Sequence, residues 1–311
     1  MLKQKHSKMK IVITGSLGHI SKPLTEQLIE EGHQVTVISS NEAKAAEITA
    51  LGATPAIGSL EDAGFLSATF VGADAVYCMV PPNNYFDHNL DLMAYFQLLG
   101  KNYATAIIAS RVRRVVHLSS IGAHLQRGNG IIAGCYNVEA ILRKLQDVTI
   151  ITLRPTSFYY NLYAYMEPIR QSGVIRVNYG GKTKVPWVSP NDIAAVAVEE
   201  LVSSTEGPKI RYNVSEDASG AETAAVLGAA IGKPDLKWEL VSDEEVLQGL
   251  IGAGMNKEIA AGLVEMYASL ENGPFVEDLN RNRPGAYGNV KLKDFAQEFA
   301  VVYAADGGSR H

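Results

Sequence analysis

The stretch Lys10-Ile11-Val12-Ile13-Thr14-Gly15-Ser16-Leu17-Gly18-His19-Ile20-Ser21 constrains this chain more than any other. Its apolar, β-branched start reads as a buried strand, the two glycines read as a turn, and Pro23-Leu24-Thr25-Glu26-Gln27-Leu28-Ile29 continues as a helix. Strand, glycine turn and helix in that order make the βα unit that holds a dinucleotide diphosphate. Gly15 permits the tight turn, Gly18 lets the backbone approach the anion, and the helix start supplies free N–H groups and a positive dipole end. A side chain at Gly15 is expected to occupy the place of the pyrophosphate. The spacing is Gly-x-x-Gly-x-x-Ser, with Ser21 where the usual fingerprint has its last glycine. A glycine-bearing turn of this kind can also bind nothing, so the rest of the chain has to decide.

The rest predicts a parallel sheet. His33–Ser40 reads as a second strand opened by Gly32, and Asn41–Leu51 as a helix stopped by Gly52. Thr54–Gly58 is a short third strand, with a helix after it through Phe70. Ala73–Val80 reads as a buried fourth strand ended by Pro81-Pro82, and a long helix is predicted from about Asp87 to Ser110. A strand over Val115–Ser120, a helix over Asn137–Gln146 and a strand over Val148–Leu153 complete the alternation. Strands and helices in this rhythm predict an α/β fold with a doubly wound parallel sheet of the Rossmann type.

Beyond Arg154-Pro155 the alternation breaks. A helix over Asn191–Leu201 is capped by Asn191 or Asp192, and Arg211–Val214 and Lys237–Val241 read as strands. Glu222–Ile231, most of 243–271 and Lys293–Val301 read as helices, with a frayed end over Asp306–His311. The organisation predicted is a disordered extension over 1–9 and a Rossmann domain over 10–156. A smaller, mostly helical substrate lobe follows over 157–305, with parts returning to the core.

A chain of 311 residues, 47% apolar, can bury a full core. A net charge of −5 argues against nucleic acid as the main partner, and the basic cluster Arg111-Val112-Arg113-Arg114 reads as a solvated loop. Two cysteines, Cys78 and Cys135, suit a reducing compartment; Cys78 reads as core, and neither has the spacing of a metal ligand. No run is apolar for long enough to span a membrane, and the basic start lacks the apolar region of a secretory signal. The expectation is a cytoplasmic protein without metal.

Several further stretches carry a resemblance. They are Gly58-Ser59-Leu60-Glu61-Asp62, Gly72-Ala73-Asp74-Ala75-Val76, Leu118-Ser119-Ser120-Ile121-Gly122-Ala123 and Val138-Glu139-Ala140-Ile141-Leu142-Arg143. With the glycine turn, Leu153-Arg154-Pro155 to Asn161 and Val188-Ser189-Pro190-Asn191-Asp192-Ile193-Ala194, they span nearly the whole chain. In order and spacing they resemble the NmrA-like branch of the extended, atypical short-chain dehydrogenase/reductase superfamily. That family binds NAD(P), and it includes quinone and azo-compound reductases as well as non-catalytic redox sensors.

The resemblance implies a layout for the cofactor. Its diphosphate would lie over Gly15, Ser16, Leu17, Gly18, His19 and Ile20, and its adenosine ribose would reach Ser39, Ser40 and Asn41. Neither an acidic residue for a 2′-hydroxyl nor an Arg for a 2′-phosphate stands there. Hydroxyls with nearby Lys44 could hold a phosphate, so NADP(H) is favoured over NAD(H); the same residues could simply cap the next helix. Val80 and Pro81 would flank a ribose, and Ser119 and Ser120 with Pro155 to Phe158 the nicotinamide.

One departure bears on chemistry. Dehydrogenases of the superfamily use a Tyr-x-x-x-Lys pair, in which the Lys lowers the Tyr pKa. Tyr136 is followed four residues on by Ala140, and alignment on Val138 to Arg143 places Cys135 at the Lys position and Ile131 at the Tyr position. Tyr136 is therefore only a weak candidate for a proton donor. His117 reads as a packed residue, His19 as a neighbour of the cofactor, and His88 and His124 as loop residues on the ligand side. Glu139 could orient a substrate loop or face solvent. The aromatic residues Tyr85, Phe86, Phe158, Tyr159, Tyr160, Tyr163 and Tyr165 are expected to meet above the nicotinamide, where Asn161 could hydrogen-bond a carbonyl. In a second reading they seal a hinge between lobes.

Two functions follow. The first is an NAD(P)H-dependent reductase of a small planar acceptor such as a quinone or azo compound; hydride transfer to a quinone needs orientation more than a strong acid. The second is a non-catalytic NAD(P) redox sensor that regulates a partner protein. A nucleotide-sugar epimerase fits less well without the Tyr and Lys.

Overall fold

The computed structural model describes residues 8–181, 183–205, 209–272 and 274–308. Six strands, β1 (Lys10–Ile13), β2 (Gln34–Ser39), β3 (Thr54–Ile57), β4 (Ala75–Met79), β5 (Arg114–Leu118) and β6 (Thr149–Pro155), lie parallel in the order β3-β2-β1-β4-β5-β6. Between them run α1 (Ser21–Glu30), α2 (Ala45–Ala50), α3 (Ala63–Phe70), α4 (Leu92–Ser110) and α5 (Ala133–Leu142).

The later elements are β7 (Ser157–Phe158), α6 (Met166–Ser172), β8 (Val174–Val177), β9 (Val185–Val188), α7 (Pro190–Val202), β10 (Lys209–Asn213) and β11 (Glu216–Ala218). They continue as α8 (Gly220–Ala230), β12 (Lys237–Leu240), α9 (Asp243–Gly252), α10 (Lys257–Asn272), α11 (Glu277–Arg281) and α12 (Leu292–Gly308). β10 returns to pair in parallel with β6, making the seventh strand of the sheet.

Both faces of the sheet are buried, which explains strands that are apolar almost throughout. Alternate residues divide between the faces. Ile11, Ile13, Val35, Val37, Tyr77 and Val116 pack against Leu24 and Leu28 of α1 and Ile193 and Ala197 of α7. Val12, Ile38, Val76, Cys78, Val115 and Ile150 pack against α3, α4 and α5 through Phe70, Leu99, Tyr103 and Val138. Truncating a buried leucine such as Leu24 to Ala would cost about 2–5 kcal/mol. A separate core, centred on Tyr159, Trp187, Phe295 and Phe299, holds the carboxy-terminal elements together.

The doubly wound α/β architecture is as the pattern predicts, and the differences have local causes. Met9 is already ordered, its N–H bonding His33 Nδ1 at 3.2 Å, so the extension reading does not hold there; residues 1–7 lie outside the described residues. α4 begins at Leu92 rather than near Asp87, with the Asp91 side chain accepting from Ala94 N at 2.8 Å. α5 begins at Ala133, four residues before the predicted start. α7 is capped by Ser189, not by Asn191 or Asp192, because Pro190 takes the first helical position. Asp192 instead accepts from Ser215 Oγ and from the amides of Asn289 and Val290, tying down a distant loop.

Arg114 is not solvated. It opens β5, is buried, and donates to the carbonyls of Glu200 and Thr205. α12 runs on to Gly308, past the predicted end, and 309–311 lie outside the described residues. Among the described residues no helix is long and apolar enough to cross a membrane.

Candidate functional site

The strand order reverses direction between β1 and β4, which leaves a crevice at their carboxyl ends where open α/β sheets bind ligands. The chain turns there at Gly15 (φ +89°) and Ser16 (φ +54°) before entering α1. α1 has no side-chain cap, and among the described residues the amides of Leu17, His19, Ile20 and Ser21 find no acceptor in the protein. Four uncommitted donors at one helix start make a cradle for a diphosphate.

Ser21 fits the position of the missing glycine because its hydroxyl turns inward and donates to Thr14 O at 2.9 Å. A Cβ on Gly15 would lie 2.7 Å from Ser21 Oγ and 3.0 Å from Met79 Sδ. The expectation that a side chain there would fill the pyrophosphate's place is thus corrected: it would collide with the seam between α1 and β4. A Cβ on Gly18 would meet only Gly15 O, at 3.1 Å.

At the end of β2 the polar residues are partly committed. Ser39 is buried and accepts from Ser16 Oγ at 3.0 Å and from Asn41 N at 3.1 Å. Asn41 Oδ1 accepts from Ala43 N, capping the next turn. Ser40 is exposed. Lys44 Nζ lies 2.7 Å from Glu47 Oε2, and Lys22 Nζ lies 3.9 Å from Glu47 Oε1. The hydrogen bond from Lys44 holds the Glu47 carboxyl below its ordinary pKa.

Val80 and Pro81 lie half-buried beyond β4. The segment after them is docked on the later helices. Asn256 donates its backbone N–H to Tyr85 O at 2.9 Å and its side-chain amide to Asp87 O at 3.1 Å. Its Oδ1 accepts from Glu258 N at the start of α10. Tyr85 packs with Leu92, Ile259 and Leu263, while Phe86 and His88 are exposed.

Past β5 and β6 stands a buried ionic chain. Ser119 Oγ donates to Glu139 Oε1 at 2.6 Å, and Arg154 grips both oxygens of Glu139, at 3.0 Å through Nε and 2.7 Å through Nη2. Arg143 adds a bond to Glu139 Oε2 at 3.1 Å. Arg154 Nη1 reaches Asp278 Oδ2 at 3.0 Å and Tyr212 Oη at 3.2 Å, and Tyr212 itself donates to Asp278. Burial alone would lower the Arg154 pKa, but its bonds to Glu139 and the nearby charges carry it above its ordinary value. The reading of Glu139 as solvent-facing is therefore corrected.

His117 lies beside this chain, and burial pushes its pKa down to about 4, opposed by Glu139 and reinforced by Arg154. It is a packed neutral imidazole, as expected of a strand histidine. Burial also lowers the His124 pKa, against the pull of Asp278.

The expected aromatic cluster divides in two. Tyr160 stacks on His19 (centroids 4.6 Å apart, planes at 24°) and on Phe158 (5.1 Å, 27°), a row of three rings from the glycine turn to β7. Burial pushes the Tyr160 pKa up to about 12, and Tyr85 is close enough to add to the effect. Tyr159, Tyr163 and Tyr165 belong elsewhere. Tyr159 stacks on Trp187 and Phe295, Tyr163 on Phe299, and Tyr165 meets Trp238. Their side chains turn into the carboxy-terminal core because 159–165 is helical, so successive rings point in different directions. Asn161 is exposed on the same turn.

Residues 7–284 match the sequence profile of the NmrA-like family. The chain belongs to that family. Over 304 residues, 96% of this NmrA-like chain and 99% of the relative, it is 28% identical to an NAD(P)H azoreductase of Xenophilus azovorans. In fold it is similar to a triphenylmethane reductase of Citrobacter sp. solved with NADP(H), at a TM-score of 0.74 and 21% identity over 93% of this chain and 99% of that one. An NADPH-dependent quinone oxidoreductase of Escherichia coli superposes with a TM-score of 0.73 at 18% identity, again over 93% and 99%.

The α5 helix of this NmrA-like chain presents Tyr136 half-buried with Ala140 one turn on. Cys135, the residue that alignment on Val138 to Arg143 would set at the superfamily's Lys position, has its thiol pushed up to about 12 by burial. What the sequence did not disclose is the partnership of Arg154 with Glu139 and Asp278. Only the presence of an Arg and a Glu in apolar surroundings hinted at it, since such charges are buried in pairs.

Proposed function

We infer that this protein is an NAD(P)H-dependent reductase of a planar acceptor of the quinone or azo class. The observation that carries the reading is the ring row His19-Tyr160-Phe158 set directly beside the uncommitted amides of the glycine turn. A flat acceptor gains most by lying against flat walls, and a dinucleotide whose diphosphate the turn cradles would deliver its hydride there. The near full-length relation to an NAD(P)H azoreductase supports this, as does the likeness in fold to the dye and quinone reductases.

The residues divide the work as follows. Gly15, Ser16, Leu17, Gly18, His19 and Ile20 would hold the diphosphate, and Val80, Pro81, Ser119, Pro155 and Phe158 would frame the nicotinamide end. When bound, the dinucleotide supplies a hydride. Tyr85, Phe86, Tyr160 and Asn161 would orient the acceptor and exclude water. Tyr160 and Tyr85, with pKa values raised by burial, would stay protonated and could offer hydrogen bonds to the acceptor, while water would supply the proton that a reduced acceptor takes up. NADP(H) is favoured over NAD(H) because Lys44 and Lys22 converge on Glu47 of α2, the helix that follows β2, and Ser40 just past the end of β2 is exposed.

A second reading, a sensor that binds the dinucleotide without turning it over, is favoured by one observation. Ala140 stands one turn after Tyr136 on α5, and in the alignment on Val138 to Arg143 the Lys position would fall to Cys135, a neutral thiol, so α5 would offer no activated tyrosine. Purified protein mixed with NADPH or NADH and either a simple quinone or an azo dye separates the two. Acceptor-dependent oxidation of the dinucleotide, slowed in Tyr160→Ala, is expected; binding without oxidation of any acceptor favours the sensor and overturns the reductase reading.

A further inference from the structure

The ionic chain around Ser119 has a geometry that stability alone does not explain. Glu139 and Arg154 are both buried, with side chains 2% and 3% exposed, and burying such a pair returns less than apolar side chains of the same volume. What the pair does accomplish is to fix Ser119. A serine hydroxyl ordinarily rotates and can donate or accept. Here its single proton is committed to Glu139 Oε1 at 2.6 Å, and Arg154 holds that oxygen from the other side at 3.0 Å. Glu139 cannot turn away, because Arg154 and Arg143 also hold its second oxygen. Ser119 Oγ is left with lone pairs only.

Ser119 follows directly on β5, at the carboxyl edge of the sheet, and its N–H is tied to Leu153 O at 2.8 Å. It keeps 7% of its surface open. The ligand end of the sheet thus presents a fixed acceptor, suited to an N–H donor and unsuited to a carbonyl oxygen. The grip on Arg154 comes from far along the chain, from Asp278 on α11 and Tyr212 on β10. Next to it, a Cβ on Gly122 would lie 2.2 Å from the Phe275 ring, so the segment leading into α11 is pressed against the loop after Ser119.

We propose that Arg154 is a positioning residue: acting through Glu139, it fixes Ser119 as a hydrogen-bond acceptor for the carboxamide N–H of the nicotinamide, and Asp278 holds it in place for that task. The inference rests on the dinucleotide reading above for its ligand. It differs from that reading in what it predicts for a dinucleotide whose ring carries an acetyl group in place of the carboxamide, because an acetyl group has no N–H to offer.

The test is calorimetric titration with the reduced dinucleotide and with its 3-acetylpyridine analogue, each on the full chain. Wild-type protein should bind the carboxamide form more tightly by about fivefold to tenfold, the range of one well-placed hydrogen bond. Ser119→Ala should abolish that preference. Removing Arg154 alone would leave Glu139 buried and unpaired and could unfold the chain, so the second variant is the paired replacement Glu139→Met with Arg154→Met. It keeps an apolar-compatible volume, frees the Ser119 hydroxyl to rotate, and should lose the preference while retaining the wild-type circular dichroism spectrum. Asp278→Asn should weaken the preference in part.

Equal binding of the two forms by the wild type overturns the proposal, as does a preference that survives in the folded paired variant. In both cases the dinucleotide reading stands. If the wild type binds neither form, that reading and this proposal fall together.

Discussion

His117 should make the stability of this protein fall steeply on mild acidification. The imidazole is 1% exposed in β5, and among the described residues its Nδ1 has no partner. Burial brings its pKa in the folded state to about 4, from an ordinary value of 6.5. Below the ordinary value the unfolded chain takes up a proton that the folded chain refuses, so stability is full above about pH 6.5 and drains away as the pH falls towards 4. At about 1.4 kcal/mol for each pH unit crossed, that interval amounts to about 3 kcal/mol. This is a large part of the about 5–15 kcal/mol that holds a typical domain together.

Urea unfolding followed by circular dichroism, at a series of pH values across that interval, gives the curve. Other carboxylates also lose their partners in acid, so the diagnostic quantity is the difference between the wild type and His117→Leu. The variant should lose about 2–3 kcal/mol less than the wild type across the interval. Parallel curves would show that His117 is protonated in the folded state, and the account of its burial would be wrong.

Three further outcomes are expected. Gly15→Ala should lower stability by about 1–2 kcal/mol, since φ is +89° there and the new Cβ presses on Ser21 Oγ; it should weaken dinucleotide binding as well, and an unchanged melting temperature would contradict the described turn. Lys44→Ala should weaken binding of NADPH by about threefold or more, an exposed charge contact being small, while leaving NADH unchanged; equal effects on both would remove Lys44 from the phosphate site. Asn256→Ala breaks the bonds that dock 81–91, so amide hydrogen exchange should rise in that segment and at the start of α10 together, and a rise confined to one of them would refute the shared latch.

The sheet was legible because its rules are local. β-branched runs bounded by glycines with positive φ, as at Gly15, Gly32 and Gly52, place strand ends and turns without reference to anything distant. The glycine turn was legible for the same reason. What escaped the sequence depends on partners far apart along the chain. α4 starts late because Asn256 holds the carbonyls of Asp87 and Leu90 in a segment of successive turns. Arg114 looks like one of a solvated cluster until Glu200 and Thr205 receive it. Glu139 looks like a helix-surface residue until Arg154 and Ser119 meet it. The aromatic run 158–165 shows its rings but not their directions, and it is the helical turn that sends Tyr160 to the cleft and Tyr159 to the core.

The central claim is that the uncommitted amides at the start of α1 cradle a nicotinamide dinucleotide. Isothermal calorimetric titration of the purified chain with NADPH and, separately, with NADH tests it directly. The account predicts saturable binding, at a dissociation constant of about 1–100 μM or tighter for NADPH and weaker for NADH, and weakened in Gly15→Ala. No heat of binding with either dinucleotide would mean that this glycine turn holds no cofactor, and the reductase reading would end there.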